Sequence, residues 1–376
     1  MRQSLVPLLF LLTGTVNAAV AIDGAPIEEN FHTCDNLQCG SNTVKKFHME
    51  NKLLTGPTVY GETFYAEQGR SDEHATMFTP IRIIQVYNPG TGEIYKEPED
   101  YLPTKEGITL TPGSRIKRAP FGFSDQITDV EKNTYGVRVT TEFQSYQYAI
   151  TYDKKATLAP HIYGDLGGFQ QLIGTKPLSI TFYGDSITLG ANATSIYTPP
   201  NQPGYAGLVM AYLSETYPGM WLSRNTSVGG WSSKDAIKAV DYRVLDKKSD
   251  LVVIAFGMND ESIFSAAKYK NNLEKLIDTI RLRAPDVPIM LVSPIRANPK
   301  AIIQKKRNVD DYLPALESLQ QKYSSVAVAD VTSIWDVMLR KKAYLDVTGN
   351  GLNHPNDFAH RIIAEVVLSA ILSEKY

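Results

Sequence analysis

The apolar positions of this chain follow two patterns that change over near residue 160. Over residues 22–160, short alternating runs are broken by turn residues. Ile81 to Val86, then Asn88-Pro89-Gly90-Thr91-Gly92, then Glu93 to Tyr95 predicts strand, turn, strand, because Asn, Pro and Gly supply the dihedrals of a tight reversal. Pro112-Gly113 marks another turn. Val137 to Tyr152 is β-branched and aromatic with partial alternation, the composition of a half-buried strand or hairpin. No helical period competes, so an antiparallel β-sandwich, jelly-roll-like, is expected for 22–160.

Residues 161–177, with Gly164, Gly167, Gly168, Gly174 and Pro177, read as a linker. From 178 to 376 the apolar runs become nearly continuous: Leu178–Tyr183, Leu251–Phe256, Val287–Val292 and Val326–Val331. Such runs suit strands buried on both faces of a parallel sheet. Between them, 204–216, 234–247, 264–283, 309–323 and 358–373 carry apolar residues three and four apart, the helical spacing. Alternating strand and helix predicts a three-layer α/β/α, flavodoxin-like domain with its site at the carboxyl ends of the strands.

The first residues differ from both patterns. Arg2 precedes an apolar stretch, Leu5 to Leu12, that is too short to cross a bilayer and is followed by small residues ending Ala19-Val20-Ala21. This reads as a signal peptide over residues 1–21, with no membrane anchor after cleavage and a secreted or periplasmic product. In that oxidising setting Cys34 and Cys39, the two cysteines of the 376-residue chain, are expected to pair. Joined by His32 they would offer a metal three ligands at most, and neither metal nor cofactor is expected. With 38 Lys plus Arg against 40 Asp plus Glu, interspersed, no basic stripe exists to bind nucleic acid.

The chemistry collects where strands end. The first buried run leads into Gly184-Asp185-Ser186-Ile187; read alone, Ser186 is a helix cap, and read with its neighbours it is a nucleophile. Three further strand-end segments follow in order: Val228-Gly229-Gly230-Trp231, Gly257-Met258-Asn259-Asp260, and Asn350-Gly351-Leu352-Asn353-His354-Pro355. Asp185 and Asp260 are expected to fix loop backbones, and Asp357 to cap the last helix. Ser265-Ala-Ala-Lys268 falls at a helix start without its usual partner motifs and is set aside. Asn192 and Asn225 each begin a glycosylation sequon.

Together the four segments resemble those of the SGNH (GDSL-type) hydrolase superfamily, over about residues 178–373. The resemblance implies a serine esterase with Ser186 as nucleophile and His354 as general base. It implies an oxyanion hole of the Ser186 and Gly230 N–H groups and the Asn259 amide, with Gly229 as the alternative glycine. The family's aspartate three residues before the histidine is replaced here by Gly351. A Ser-His dyad is therefore expected, the imidazole held by a backbone carbonyl, with Asp346 as the acid to consider if a triad exists. A carbohydrate-esterase branch of the family carries an N-terminal β-sandwich, as this chain is expected to. Trp231, beside the oxyanion glycine, could stack on a sugar or simply pack. The expected substrate is a small-molecule or polysaccharide ester, with an O-acetylated carbohydrate as the first expectation. The alternatives are a lysophospholipase, thioesterase or arylesterase of the same family, or a non-catalytic carbohydrate-binding protein.

Overall fold

The structure, a computed structural model, describes residues 43–302 and 308–373. The expected leader, His32 and the Cys34–Cys39 pair lie outside the described residues. Strands β9 (Leu178–Gly184), β10 (Trp221–Asn225), β11 (Leu251–Ala255), β12 (Ile289–Val292) and β13 (Val326–Ala329) form one parallel sheet in the order β10-β9-β11-β12-β13. All four apolar runs read from the sequence are strands of it. The stretch 161–177, expected as a linker, contributes β8 (Ile162–Gly164), which pairs antiparallel with β13 and closes that edge.

Alternation along each strand sorts the side chains into two cores. Ile180, Phe182, Val253, Met290 and Ala327 face one layer of helices, α5 (Tyr205–Thr216), α9 (Val331–Leu339) and α11 (Asp357–Leu372). Tyr183, Val252, Ile254, Leu291 and Val328 face the other, α6 (Ser233–Arg243), α7 (Ala266–Arg283) and α8 (Tyr312–Lys322). Ser265 caps α7 by accepting from the Lys268 N–H. The three layers place the carboxyl ends of β9, β10 and β11 together, with strand order reversing between β9 and β11, where α/β sheets form their clefts.

The N-terminal region holds two antiparallel sheets. The first, ordered β1-β7-β3-β4, is built from β1 (Thr58–Tyr65), β3 (Pro80–Tyr87), β4 (Ile94–Tyr95) and β7 (Gln147–Lys154). The second, ordered β2-β6-β5, is built from β2 (Glu73–Ala75), β5 (Tyr101–Pro103) and β6 (Gly107–Leu110). The β3–β4 hairpin pairs Val86 with Tyr95 across the Asn-Pro-Gly turn, and Asn88 Oδ1 accepts the N–H groups of Gly90 and Thr91. Val137–Tyr152 departs from the strand expected there. Its first half is a 3₁₀ turn, Thr141–Tyr146, and α2 (Asp129–Thr134) precedes it behind a Thr128–Glu131 capping box.

The N-terminal sheets meet the last helices through buried polar groups. Arg361 of α11 donates to the carbonyls of Tyr60 (2.7 Å) and Gly61 (2.8 Å) at a bulge in β1. Glu365 accepts the Leu54 N–H at 3.0 Å, and Lys342 pairs with Glu62 at 3.1 Å, both side chains fully enclosed. Asn356 Nδ2 reaches Thr63 Oγ1 and Gln147 Oε1, each at 3.0 Å. Burying such groups is costly, and these hydrogen bonds and the ion pair offset that cost across the seam.

Candidate active site

Ser186 is delivered by a turn only glycine allows. A Cβ on Gly184 would lie 2.3 Å from Thr188 Oγ1 and 2.5 Å from the Ala255 carbonyl. Asp185, not Ser186, caps the short helix α4 (Ser186–Leu189), its Oδ1 accepting the Ile187 N–H at 2.9 Å. The serine hydroxyl is thus free of the capping duty. Burial pushes the Asp185 carboxyl up to about 7, against the N–H donors that favour its anion. Asp260, pushed up to about 6 by burial, accepts the Ser233 N–H at 3.0 Å and the Ser233 hydroxyl, anchoring the start of α6.

His354 Nε2 lies 2.9 Å from Ser186 Oγ. Its Nδ1 lies 2.6 Å from Asn192 Oδ1. A side-chain carbonyl accepts only, so the proton belongs on Nδ1 and the Nε2 lone pair faces the serine O–H. The loop that carries the histidine is wound around Asn350, whose Oδ1 accepts the N–H groups of Leu352 (2.9 Å), Asn353 (3.0 Å) and His354 (3.2 Å). Burial pulls His354 down to about 4, keeping the imidazole neutral at ordinary pH, with its Nε2 lone pair free to accept a proton.

The orienting group differs from the one expected. The imidazole N–H meets the Asn192 side chain rather than a backbone carbonyl. Asp346 is engaged elsewhere, accepting the N–H groups of Tyr65 and Ala343, each at 2.9 Å. Gly351 has no room for the family's aspartate. Its φ is +80°, and a Cβ would sit 2.4 Å from the Phe143 ring and 2.8 Å from the Arg138 carbonyl. Read along the chain, Asn192 had one visible role, as a sequon. No spacing rule links it to His354, 162 residues away, because the contact is made by a loop folding over the strand ends.

Asn192 itself sits at φ +63°, a left-handed conformation that Asn tolerates better than most residues. Two anchors hold its loop. Asp357 accepts Thr194 N–H (2.9 Å) and Oγ1–H (2.7 Å), while the helix cap expected of it falls to Asn356, which accepts the Ala359 N–H. His360 accepts the Tyr205 N–H at Nδ1 and donates from Nε2 to the Ala191 carbonyl, each at 3.2 Å, a buried brace under the same loop. Asn225 likewise turns inward, donating to the Thr188 carbonyl at 2.7 Å.

The glycine-rich turn after β10 completes the site. A Cβ on Gly229 would lie 3.8 Å from Ser186 Cβ, and Gly230 has φ +79° with open space where a side chain would stand. Asn259 Nδ2 donates to the Trp231 carbonyl at 2.9 Å, tying the end of β11 to this turn and leaving its second amide hydrogen to spare. Trp231 is partly buried against the α6–α7 core, with the Arg243 guanidinium 5.5 Å from its ring centre. Ser186 and His354 are therefore in hydrogen-bond contact, and Gly230 and Asn259 are linked through Trp231.

Residues 182–362, which span all four segments, match the family model described as the GDSL-like Lipase/Acylhydrolase family. Residues 182–362 thus carry a GDSL-like acylhydrolase domain, and the protein is a hydrolase acting on esters. Among curated proteins none matches it. Similar solved structures include the acetylxylan esterase Axe2 of Geobacillus stearothermophilus, at 20% identity over 52% of this chain and 94% of that one, TM-score 0.44. Another is LAE5, an α/β hydrolase from the metagenome of Lake Arreo, Spain, at 19% identity over 53% and 97%, TM-score 0.42.

Proposed function

We propose that the protein is an exported serine esterase that removes O-acetyl groups from carbohydrate, with Ser186 as nucleophile and His354 as general base. The observation that carries the mechanism is the unbroken line from Ser186 Oγ through His354 to Asn192, 2.9 Å and 2.6 Å. Ser186 Oγ attacks the ester carbonyl while Nε2 takes its proton, and the Ser186 and Gly230 N–H groups with the Asn259 amide receive the developing oxyanion. Nε2 then gives the proton to the departing sugar oxygen, leaving acetyl-Ser186. Water, deprotonated by the same nitrogen, releases acetate and restores the serine. Asn192 keeps the Nδ1–H tautomer throughout, the duty an aspartate has in related triads, without the charge.

Export rests on the leader over residues 1–21 and gives the Cys34–Cys39 pair an oxidising setting. Support for a sugar is the partly buried Trp231 beside the oxyanion turn, whose open face offers an indole to a pyranose. The test is acetate release from acetylated polysaccharides, run beside an acyl-length series of aryl esters. Acetate release, with turnover falling as the acyl chain grows, is expected. Activity rising beyond C8 would transfer the assignment to a lysophospholipase or thioesterase. Failure of a fluorophosphonate to label folded protein at Ser186 would leave a non-catalytic carbohydrate-binding role.

A further inference from the structure

The N-terminal region reaches the reacting histidine's support at one residue. Gln144, in the 3₁₀ turn before β7, points its amide between the two loops of the site: Nε2 donates to the carbonyl of Gly349 at 3.1 Å and to that of Asn192 at 3.2 Å. The same turn runs along the histidine loop, Thr140 N–H donating to the Asn350 carbonyl at 3.0 Å and Phe143 filling the space over Gly351. At the crossing point stands Gly349, where a Cβ would be 2.5 Å from Asn192 Cβ and 2.9 Å from Gln144 Nε2. The left-handed backbone of Asn192 is one that neighbours must hold in place.

We propose that Gln144 is a positioning residue for catalysis, fixing the Asn192 carboxamide and through it the His354 imidazole, so that the N-terminal region is part of the catalytic apparatus. The inference rests on the serine-esterase reading above. A donor that bridges both loops sets the distance between Asn192 and His354; without it the Asn192 loop relaxes and the imidazole loses its alignment with Ser186 Oγ. A small misalignment of a reacting group is costly to rate and nearly silent in substrate binding.

The experiment compares Gln144→Ala, Gln144→Met and Gln144→Lys in the full-length chain, with aryl acetate turnover, the rate of fluorophosphonate labelling and the NMR signal of the His354 Nδ1–H proton as readouts. Expected are a roughly 10-fold fall in kcat and in labelling rate for Ala and Met, an unchanged KM, and a shifted Nδ1–H signal. Lys, which keeps a donor long enough to bridge both carbonyls, should recover most of the rate. In an Asn192→Ala background, Gln144→Ala should cost less than about 2-fold, since the group it positions is gone. Unchanged kcat in Gln144→Ala, or an equal loss with and without Asn192, overturns the inference while the esterase reading stands. A wild-type protein that neither turns over nor labels overturns both.

Discussion

The parallel and antiparallel sheets are joined to their surroundings in opposite ways. In the three-layer part, each strand buries both faces against helices, and polar side chains concentrate at the strand ends, where Ser186, Asn259 and Asp260 sit. In the N-terminal part, the polar groups are in the seam: Arg361, Glu365, Lys342, Glu62 and Asn356 are buried between β1 and the last helices. The first arrangement tolerates swaps that keep volume and apolarity; the second needs each polar partner in place. The proposed catalysis draws on both, since Ser186 stands at the end of the parallel sheet while Gln144, Phe143 and Arg138 of the N-terminal region touch the loops that carry Asn192 and His354.

The sharpest way to separate these contributions is to delete the reacting groups. Ser186→Ala and His354→Ala should each lower kcat on aryl acetate by about 10⁴–10⁶ while circular dichroism stays that of the wild type. Removing the orienting group is milder. Asn192→Ala should reduce kcat by roughly 10–100-fold by letting the imidazole rotate. Asn192→Asp should move the pH profile instead. His354 must be neutral to act, and with its pKa drawn down to about 4 the acid limb of kcat/KM in the native enzyme should lie below pH 5. A carboxylate on Nδ1–H favours the imidazolium and raises that pKa, so the limb should shift toward neutral pH.

Two smaller effects test the seam. Gly351→Asp restores the family's residue, yet the left-handed backbone and the Phe143 ring leave it no place. It should cost about 1–3 kcal/mol in denaturant unfolding and raise activity not at all. Were activity to rise, the N-terminal region would be a passive neighbour of the site. Asp346→Ala leaves two backbone N–H groups unpartnered beside buried Lys342 and should lower stability by about 1–3 kcal/mol, with kcat per folded molecule unchanged.

The sequence showed the parallel sheet well, because a strand covered on both faces must be nearly all apolar, as Leu251–Ala255 and Val326–Ala329 are. The Ser186 and His354 segments were legible for a related reason: each follows directly from a strand or precedes a strong helix, so local pattern fixes where they stand. Gln144 lies in a short 3₁₀ turn and Asn192 in a loop, neither with a period to read. Thr141–Tyr146 has strand-like composition, yet Phe143 is drawn into a small aromatic cluster with Tyr65 and Phe123, and a 3₁₀ turn satisfies that burial where a strand would not. Tertiary context overrode propensity there, and with it hid the residue that bridges the two loops.

The acceptor bond from Asn192 to His354 also bears on how the protein can be manufactured. Asn192-Ala193-Thr194 is a glycosylation sequon, and a eukaryotic secretory host attaches its glycan through that same carboxamide, before the chain has folded. A batch modified there would carry a sugar on the group that aligns the histidine, so specific activity should fall with occupancy of this sequon. A bacterial host, which attaches no such glycan, should return the full specific activity and makes the yield of working enzyme a question of which organism's export machinery handles the chain.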